Sequence, residues 1–335
     1  MRSRSFVSPL LFCAAIAAPL GAQGVVEVGH TPSHSFREGM IQGQGVKSLS
    51  DLRGKPVLVE FWGINCPPCV GAAVPGALKK LEEFGSDLEV IFIESQGHTR
   101  EQLTAFGLTM KWFGRGGRWT TEAPFQTGSN GIPNYVLLDV NGKVLAKGNP
   151  LADEKMLHEI IAAQIEGKKA ADDTTPKAVA KAMKDFAKGK NGAAIAALEK
   201  LATENDPELA AAASSALDQA KARIDSRLAR IEWSAANGEY LGAGEQVKLA
   251  RKAFEGLADA QKRLDAVATQ LASPELAAEI DAEKKLQKLE RSLFEEGPSE
   301  AIAAQLAKFA EKNQGTKAAE RAALWSKHAA APYRG

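Results

Sequence analysis

The sequence predicts an α/β domain, a mixed sheet with helices on both faces, followed by an all-α domain of helical hairpins. Three observations carry this. A short β-branched run at residues 57–61 leads through a loop into Cys66-Pro67-Pro68-Cys69 and then a helical pattern ending near Leu81. Two apolar runs, 135–139 and 143–147, flank Asn141-Gly142, a strong hairpin signal. Beyond Glu166 the chain turns Ala-rich and charged, and nothing up to Ala331 has strand periodicity. The 335 residues suffice for two separate cores.

The first 22 residues read as an export signal and not as fold. Arg2 and Arg4 make a positive start, residues 6–18 are largely apolar, and Leu20-Gly21-Ala22 offers small residues for cleavage. Pro9 and Pro19 interrupt the apolar run, which is short for a membrane span. The competing reading is an uncleaved anchor. Bulky Phe12 before Cys13 argues against a lipid-anchor box. Cleavage removes Cys13 and leaves Cys66 and Cys69, which pair with each other or with a client in a compartment that permits disulfides. The net charge of +1 gives no basic surface, so no nucleic-acid partner is expected.

The α/β domain is expected over residues 23–168. Residues 23–48 are Gly-rich and should wrap its edge. Val57, Leu58, Val59 and Phe61 form the first strand, with Glu60 inside it. Two cysteines three apart at a helix start lie on one face, within reach of each other, and the helix N-terminus favours a thiolate at Cys66. Residues 88–93 are continuously apolar but for Glu89, as in a buried parallel strand. Thr99 should cap a helix reaching Phe106. A short strand is expected at 108–113. The glycine-rich loop 114–117, with Arg115 and Arg118, reads as a surface turn rather than an anion site. After the hairpin, Leu157, Ile160, Ile161 and Ile165 place an apolar stripe on a last helix.

Residues 169–176 are polar and end in Pro176, as a linker does. The helical domain then spans 177–331. Asp206-Pro207-Glu208, Ser273-Pro274-Glu275 and Pro298-Ser299-Glu300 mark helix starts. Residues 194–197 and 301–304 both read Ala-Ile-Ala-Ala, and Asn237-Gly238-Glu239-Tyr240 with Ala243, Ala250 and Ala253 resembles a tetratricopeptide turn. The spacing is irregular, so an irregular hairpin array is expected, with a degenerate repeat as the alternative. Trp233, Tyr240 and Trp325 are read as its core.

The stretch Val59-Glu60-Phe61-Trp62, three residues, then Cys-x-Pro-Cys resembles the active-site segment of thioredoxin-fold proteins. Residues 130–139, with Ile132-Pro133, resemble the segment bearing that fold's cis-proline, and residues 141–144 resemble its closing hairpin. Leu49-Ser50-Asp51-Leu52-Arg53-Gly54-Lys55 is similar to the family's lead-in. With the export signal, the TlpA/ResA-like exported thiol-disulfide oxidoreductases fit best. The resemblance implies that Cys66 is the nucleophile, Cys69 resolves the mixed disulfide, Pro133 is cis, Glu60 is the buried acid, and the Ile132 backbone pairs with a client segment. Trp62, Asn65, Pro67 and Pro68 complete the expected substrate-binding surroundings. The competing readings are inert structural cysteines and a zinc half-site, which lacks its second ligand pair.

Two departures matter. Asn65 stands where many relatives carry an aromatic residue. Pro67 beside Pro68 removes a backbone donor, which leaves the thiolate less stabilised and favours a reductase. His30, His34 and His98 lie in loops at no ligand spacing and read as solvated, so no metal is expected; the dithiol itself is the redox group and no cofactor is needed. The expected partners are protein thiols or disulfides, an unidentified redox partner, and a protein bound by the helical domain. The rival function is an interaction protein whose helical domain binds that partner, with the α/β domain as support or redox sensor.

Overall fold

The computed structural model describes residues 24–165 and 175–333. The expected signal, Cys13 and nearly all of the expected linker lie outside the described residues.

Five strands form one sheet: β1 (Val57–Trp62), β2 (Glu89–Glu94), β3 (Arg118–Thr120), β4 (Asn134–Leu138) and β5 (Val144–Gly148), in the order β3-β2-β1-β4-β5. β1 pairs in parallel with β2, and β2 with β3; β4 runs antiparallel to β1 and β5. β1 is central and every residue in it is buried, which is why its apolar run does not alternate. Helices α1 (Val74–Phe84), α2 (Arg100–Thr109) and α3 (Glu154–Ile165) join this sheet in a thioredoxin-like α/β domain. Thr99 caps α2 as expected, accepting from Gln102 N–H, with Gln102 returning the bond in a capping box.

The helical cover is unequal. Leu58, Trp62, Val90, Phe92, Tyr135 and Leu137 face α1, α2 and α3. On the opposite face, Val59, Phe61, Ile91, Ile93 and Val136 pack under Val26, Phe36, Met40 and a single 3-10 turn, Leu49–Leu52.

Two expectations are corrected. No strand forms over the expected 108–113: residues 108–109 are the last turn of α2, because the capped helix runs three residues further than its apolar pattern, and 110–113 are turns and irregular chain. Arg118 is not on a surface turn. It opens β3 and is buried against Glu89, and the strand escapes the sequence pattern because it has three residues and begins with a charge.

The second half is all α: α4 (Lys177–Ala187), α5 (Asn191–Leu201), α6 (Pro207–Ala236), α7 (Tyr240–Ala253), α8 (Ala258–Leu271), α9 (Ala277–Glu296), α10 (Glu300–Lys312) and α11 (Lys317–Ala330). Asp206 and Ser299 cap α6 and α10. Lengths run from 11 residues in α4 to 30 in α6, so the array is irregular. Tyr240 and Trp325 are buried, whereas Trp233 is half-buried and lies over Gly45.

The apolar contacts do not divide at the expected boundary. Helices α4–α8 enclose a core of their own. Leu286, Leu293, Leu306 and Trp325 of α9–α11 belong instead to the core holding Trp62 and Trp119. Two glycines permit the close approach. Gly45, at φ +76°, would set a Cβ 2.8 Å from Trp233, and Gly114, also at +76°, would set one 2.6 Å from Phe294.

Glu89 ties three elements by charge. It accepts from Lys55 Nζ at 3.1 Å, from Arg230 of α6 at 3.4 Å, and from Arg118. Burial pushes its carboxyl up, but the three cations overcome this and hold it at about 2. A depressed carboxyl contributes stability that is present above the ordinary 4.5 and lost as pH falls toward about 2. We expect Glu89→Gln to cost about 3–5 kcal/mol at neutral pH, because buried Arg118 and half-buried Lys55 and Arg230 lose their shared counter-charge. It should also flatten the acid limb of urea-unfolding stability against pH. A cost under about 1 kcal/mol would mean the cations are satisfied elsewhere.

Candidate redox site

The dithiol follows the C-terminal end of β1. Gly63–Asn65 make the loop, and Cys66 N–H donates to Gly63 O at 3.2 Å. Cys66 and Cys69 are disulfide-bonded, with Cα atoms 5.2 Å apart. Cys66 is 7% exposed and Cys69 has no exposed surface, so Cys66 is the sulfur nearer solvent. Cys69 N–H donates to Cys66 Sγ at 3.3 Å. With prolines at 67 and 68, it is the first backbone donor after Cys66.

The helix bearing the dithiol is not uniformly α. Residues Cys69–Ala73 form a π turn, and Val74 N–H donates to Cys69 O. Pro75 explains this: it has no N–H for the Gly71 carbonyl, and its ring would collide with that carbonyl in a regular helix. The widened turn relieves both, and α1 continues from Val74.

The Ile132–Pro133 bond is cis. Pro133 is buried, Ile132 half-buried, and the Ile132 carbonyl oxygen lies 3.8 Å from Cys66 Sγ. A cavity of about 440 Å³ opens beside this loop, lined by Thr127, Ser129, Ile132, Asn134, Lys147 and Asn149. Asn65, Pro67 and Pro68 are exposed around the dithiol. Trp62 is different. It has no exposed surface and packs against Phe106 and edge-on against Trp112 and Trp119, so it supports the loop from below and offers nothing to a client.

Glu60 shares a sheet face with Leu58 and Trp62, on the dithiol side. It is 1% exposed, and its neighbours across the sheet are Phe92 and Tyr135. Neither carboxylate oxygen has a hydrogen-bond partner among the described residues. Burial pushes this carboxyl up to about 8, against a smaller downward pull from Lys80. Lys80 is itself buried in α1 and pairs with Glu154 at 3.6 Å.

Two residues escape the sequence reading. His98 is not solvated: its ring Nδ1 lies 2.9 Å from the fully buried Glu94 carboxylate, and Nε2 lies 3.2 Å from Asn65 Nδ2. With Nδ1–H donating to Glu94, Nε2 accepts from the Asn65 amide. Glu94 also accepts backbone N–H bonds from Gln96 and His98. Asn65 N–H donates to Gln96 Oε1 at 2.7 Å. This network fixes the residue before Cys66. Its sequence signal is slight: an acid closing the apolar run 90–93, with a histidine four positions later.

No family model matches the chain, and no curated protein matches it. Solved structures do. One, described provisionally as a protein disulfide isomerase from Bacteroides thetaiotaomicron, is 22% identical and covers 43% of this chain and 93% of its own, with a TM-score of 0.36. A thiol-disulfide isomerase from Corynebacterium glutamicum is 22% identical, covers 42% and 96%, and scores 0.33. A thiol:disulfide interchange protein of the thioredoxin family from Chlorobium tepidum is 20% identical, covers 42% and 99%, and scores 0.31. Each likeness covers under half of this chain and concerns the fold.

Glu60 generates a test. A carboxyl whose folded pKa is raised binds more protons folded than unfolded between 4.5 and about 8. Its contribution is therefore fully present below 4.5 and lost as pH rises through about 8. We expect Glu60→Leu to resist urea better than wild type at neutral pH. The gap should widen by about 1.4 kcal/mol per pH unit within that window. A constant gap from pH 5 to 9 would place Glu60 in contact with solvent.

Proposed function

We propose that this chain is an exported thiol-disulfide oxidoreductase that acts on protein cysteines and favours reduction of client disulfides. The observation that carries the reading is the Cys66–Cys69 pair at the end of β1, with cis Ile132–Pro133 beside it. In the reduced protein the Cys66 thiolate attacks one sulfur of a client disulfide. The other client sulfur leaves as a thiolate and takes a proton. Cys69 then attacks Cys66 of the mixed disulfide, the second client thiol departs, and two electrons have passed to the client. The product on this chain is the bonded pair, which a thiol donor must reduce again.

Glu60 takes the proton from Cys69 as that sulfur attacks; a carboxyl raised to about 8 is suited to this near neutral pH. The Cys69 N–H supports the Cys66 thiolate. With both prolines withholding donors, that support is limited, which favours the reducing direction. An extended client segment pairs with the Ile132 backbone and occupies the cavity along Thr127–Asn134, like an added strand. Residues 1–22 direct export to a periplasmic or extracellular site. No described helix is long and apolar enough to cross a membrane. The rival reading, a helical half that recruits a partner, draws on its size and on α9–α11 packing against the α/β core.

In this reading Cys69→Ser traps clients as mixed disulfides and Cys66→Ser traps almost none. The check is non-reducing electrophoresis after exposure to oxidised client proteins, alongside insulin reduction by the wild type. Equal trapping by both variants, or no insulin turnover with any thiol donor, would sink the assignment. Glu60→Leu, with both cysteines intact, should slow resolution of the transient mixed disulfide at pH 7 while leaving Cys66 attack unchanged.

A further inference from the structure

A cavity of about 670 Å³ lies where α6 crosses the end of the sheet opposite the dithiol. Lys55 precedes β1 and Glu89 opens β2, whereas Cys66 follows the other end of β1, so about 20 Å of strand separates the two places. The cavity volume is that of a small-molecule site.

Its charges do not balance. Arg53, Lys55, Arg118, Arg223, Arg227 and Arg230 line it, as does Arg115, which pairs with Glu82 at 3.0 Å. The carboxylates in the wall are Asp87, Glu89 and Glu239. Glu89 is already shared by Lys55, Arg118 and Arg230. Glu239 accepts from Ser234 Oγ at 3.0 Å, and burial pushes its carboxyl up, which weakens it as a counter-charge.

Three guanidinium groups, those of Arg53, Arg223 and Arg227, are left without an ion-pair partner among the described residues, and the last two share one face of α6. Arg223 is 7% exposed, its Nε is buried with no hydrogen-bond partner among the described residues, and its Nη2 donates to Asn141. Arg227 has no carboxylate within ion-pair distance among the described residues. Both are held by aromatic rings: Arg223 over Phe186 at 5.8 Å and Arg227 over Phe254 at 5.4 Å. A guanidinium drawn out of water without a carboxylate partner is unfavourable, and buried Arg223 with half-buried Arg227, fixed on one wall, make a fork for a doubly charged oxyanion. Burial and Arg230 lower the Arg227 pKa, the direction expected of cations crowded without an anion.

We propose that this cavity binds a small multivalent oxyanion, a phosphate ester or polyphosphate, through Arg223 and Arg227. The site is built from both halves of the chain, so a bound anion stabilises their junction through linkage. It does not depend on the redox reading, since none of its residues touches the dithiol.

Pyrophosphate is the probe. Titration calorimetry and thermal unfolding of the full chain are run with pyrophosphate against sodium chloride of equal ionic strength. We expect saturable binding and a rise in melting temperature with pyrophosphate alone. Arg227→Gln should weaken binding at least tenfold. Arg223→Lys, which keeps the charge but loses the fork, should weaken it several-fold. Lys308→Gln, an exposed control outside the cavity, should change it less than twofold. Stabilisation that follows ionic strength alone, or equal binding by wild type and both arginine variants, overturns the proposal. So does an Arg227→Gln variant more stable than wild type when the wild type binds nothing, since the arginines are then only repelling one another.

Discussion

The structure depends on one aromatic cluster. Trp119 of β3 stacks on Phe92 of β2 at 4.1 Å and on Trp112 at 5.6 Å, and meets Trp62 of β1 edge-on at 5.9 Å. Phe106 of α2 packs against Trp62, Trp112 and Tyr333. Phe113 passes the contact to Trp325 of α11, and Trp325 to Phe294 of α9. Rings of this size supply much of a core, and pair geometry adds to area burial. The cluster does three jobs. It anchors a three-residue edge strand that could not persist alone, it supports the loop before the dithiol, and it seats α9 and α11. The free edge of β3 is closed by Ile41, which exchanges backbone hydrogen bonds with Trp119.

Sequence reasoning reached what local physics decides. β1, the dithiol, the Asn-Gly hairpin and the caps at Thr99, Asp206 and Ser299 are each encoded within a few residues. Glu60 was legible as buried because its neighbours in the strand are all apolar. The failures share a cause. Arg118 finds Glu89 29 positions away, and His98 finds Asn65 33 positions away, so neither environment exists in a local window. The apportioning of α9–α11 to the first core was hidden likewise. An Ala-rich amphipathic helix shows that it has a buried face, not which core receives it. The roles of the site residues came from resemblance, and they stand as proposals.

The two buried acids of the sheet illustrate how environment divides one chemistry. Glu60 and Glu89 both lie in fully buried strands. Glu60 has only the distant pull of Lys80 and is pushed to about 8, where it exchanges protons near neutrality. Glu89 has three cations and is held at about 2, permanently charged. The first titrates near neutrality and the second stays charged, and only the neighbours differ.

The π turn at Cys69–Ala73 has a consequence for comparison with other proteins. It holds one more residue than the α turn it replaces, and one residue is about 100° of rotation about a helix axis. The dithiol and the body of α1 are therefore out of phase by that amount relative to any straight counterpart. An alignment that counts positions from Cys69 without a one-residue gap assigns every face of this helix wrongly: Leu78 and Leu81, which are buried, would be matched to positions on another side. Homology judged by offset from the cysteine pair is thus unsafe here, even where the pair itself aligns.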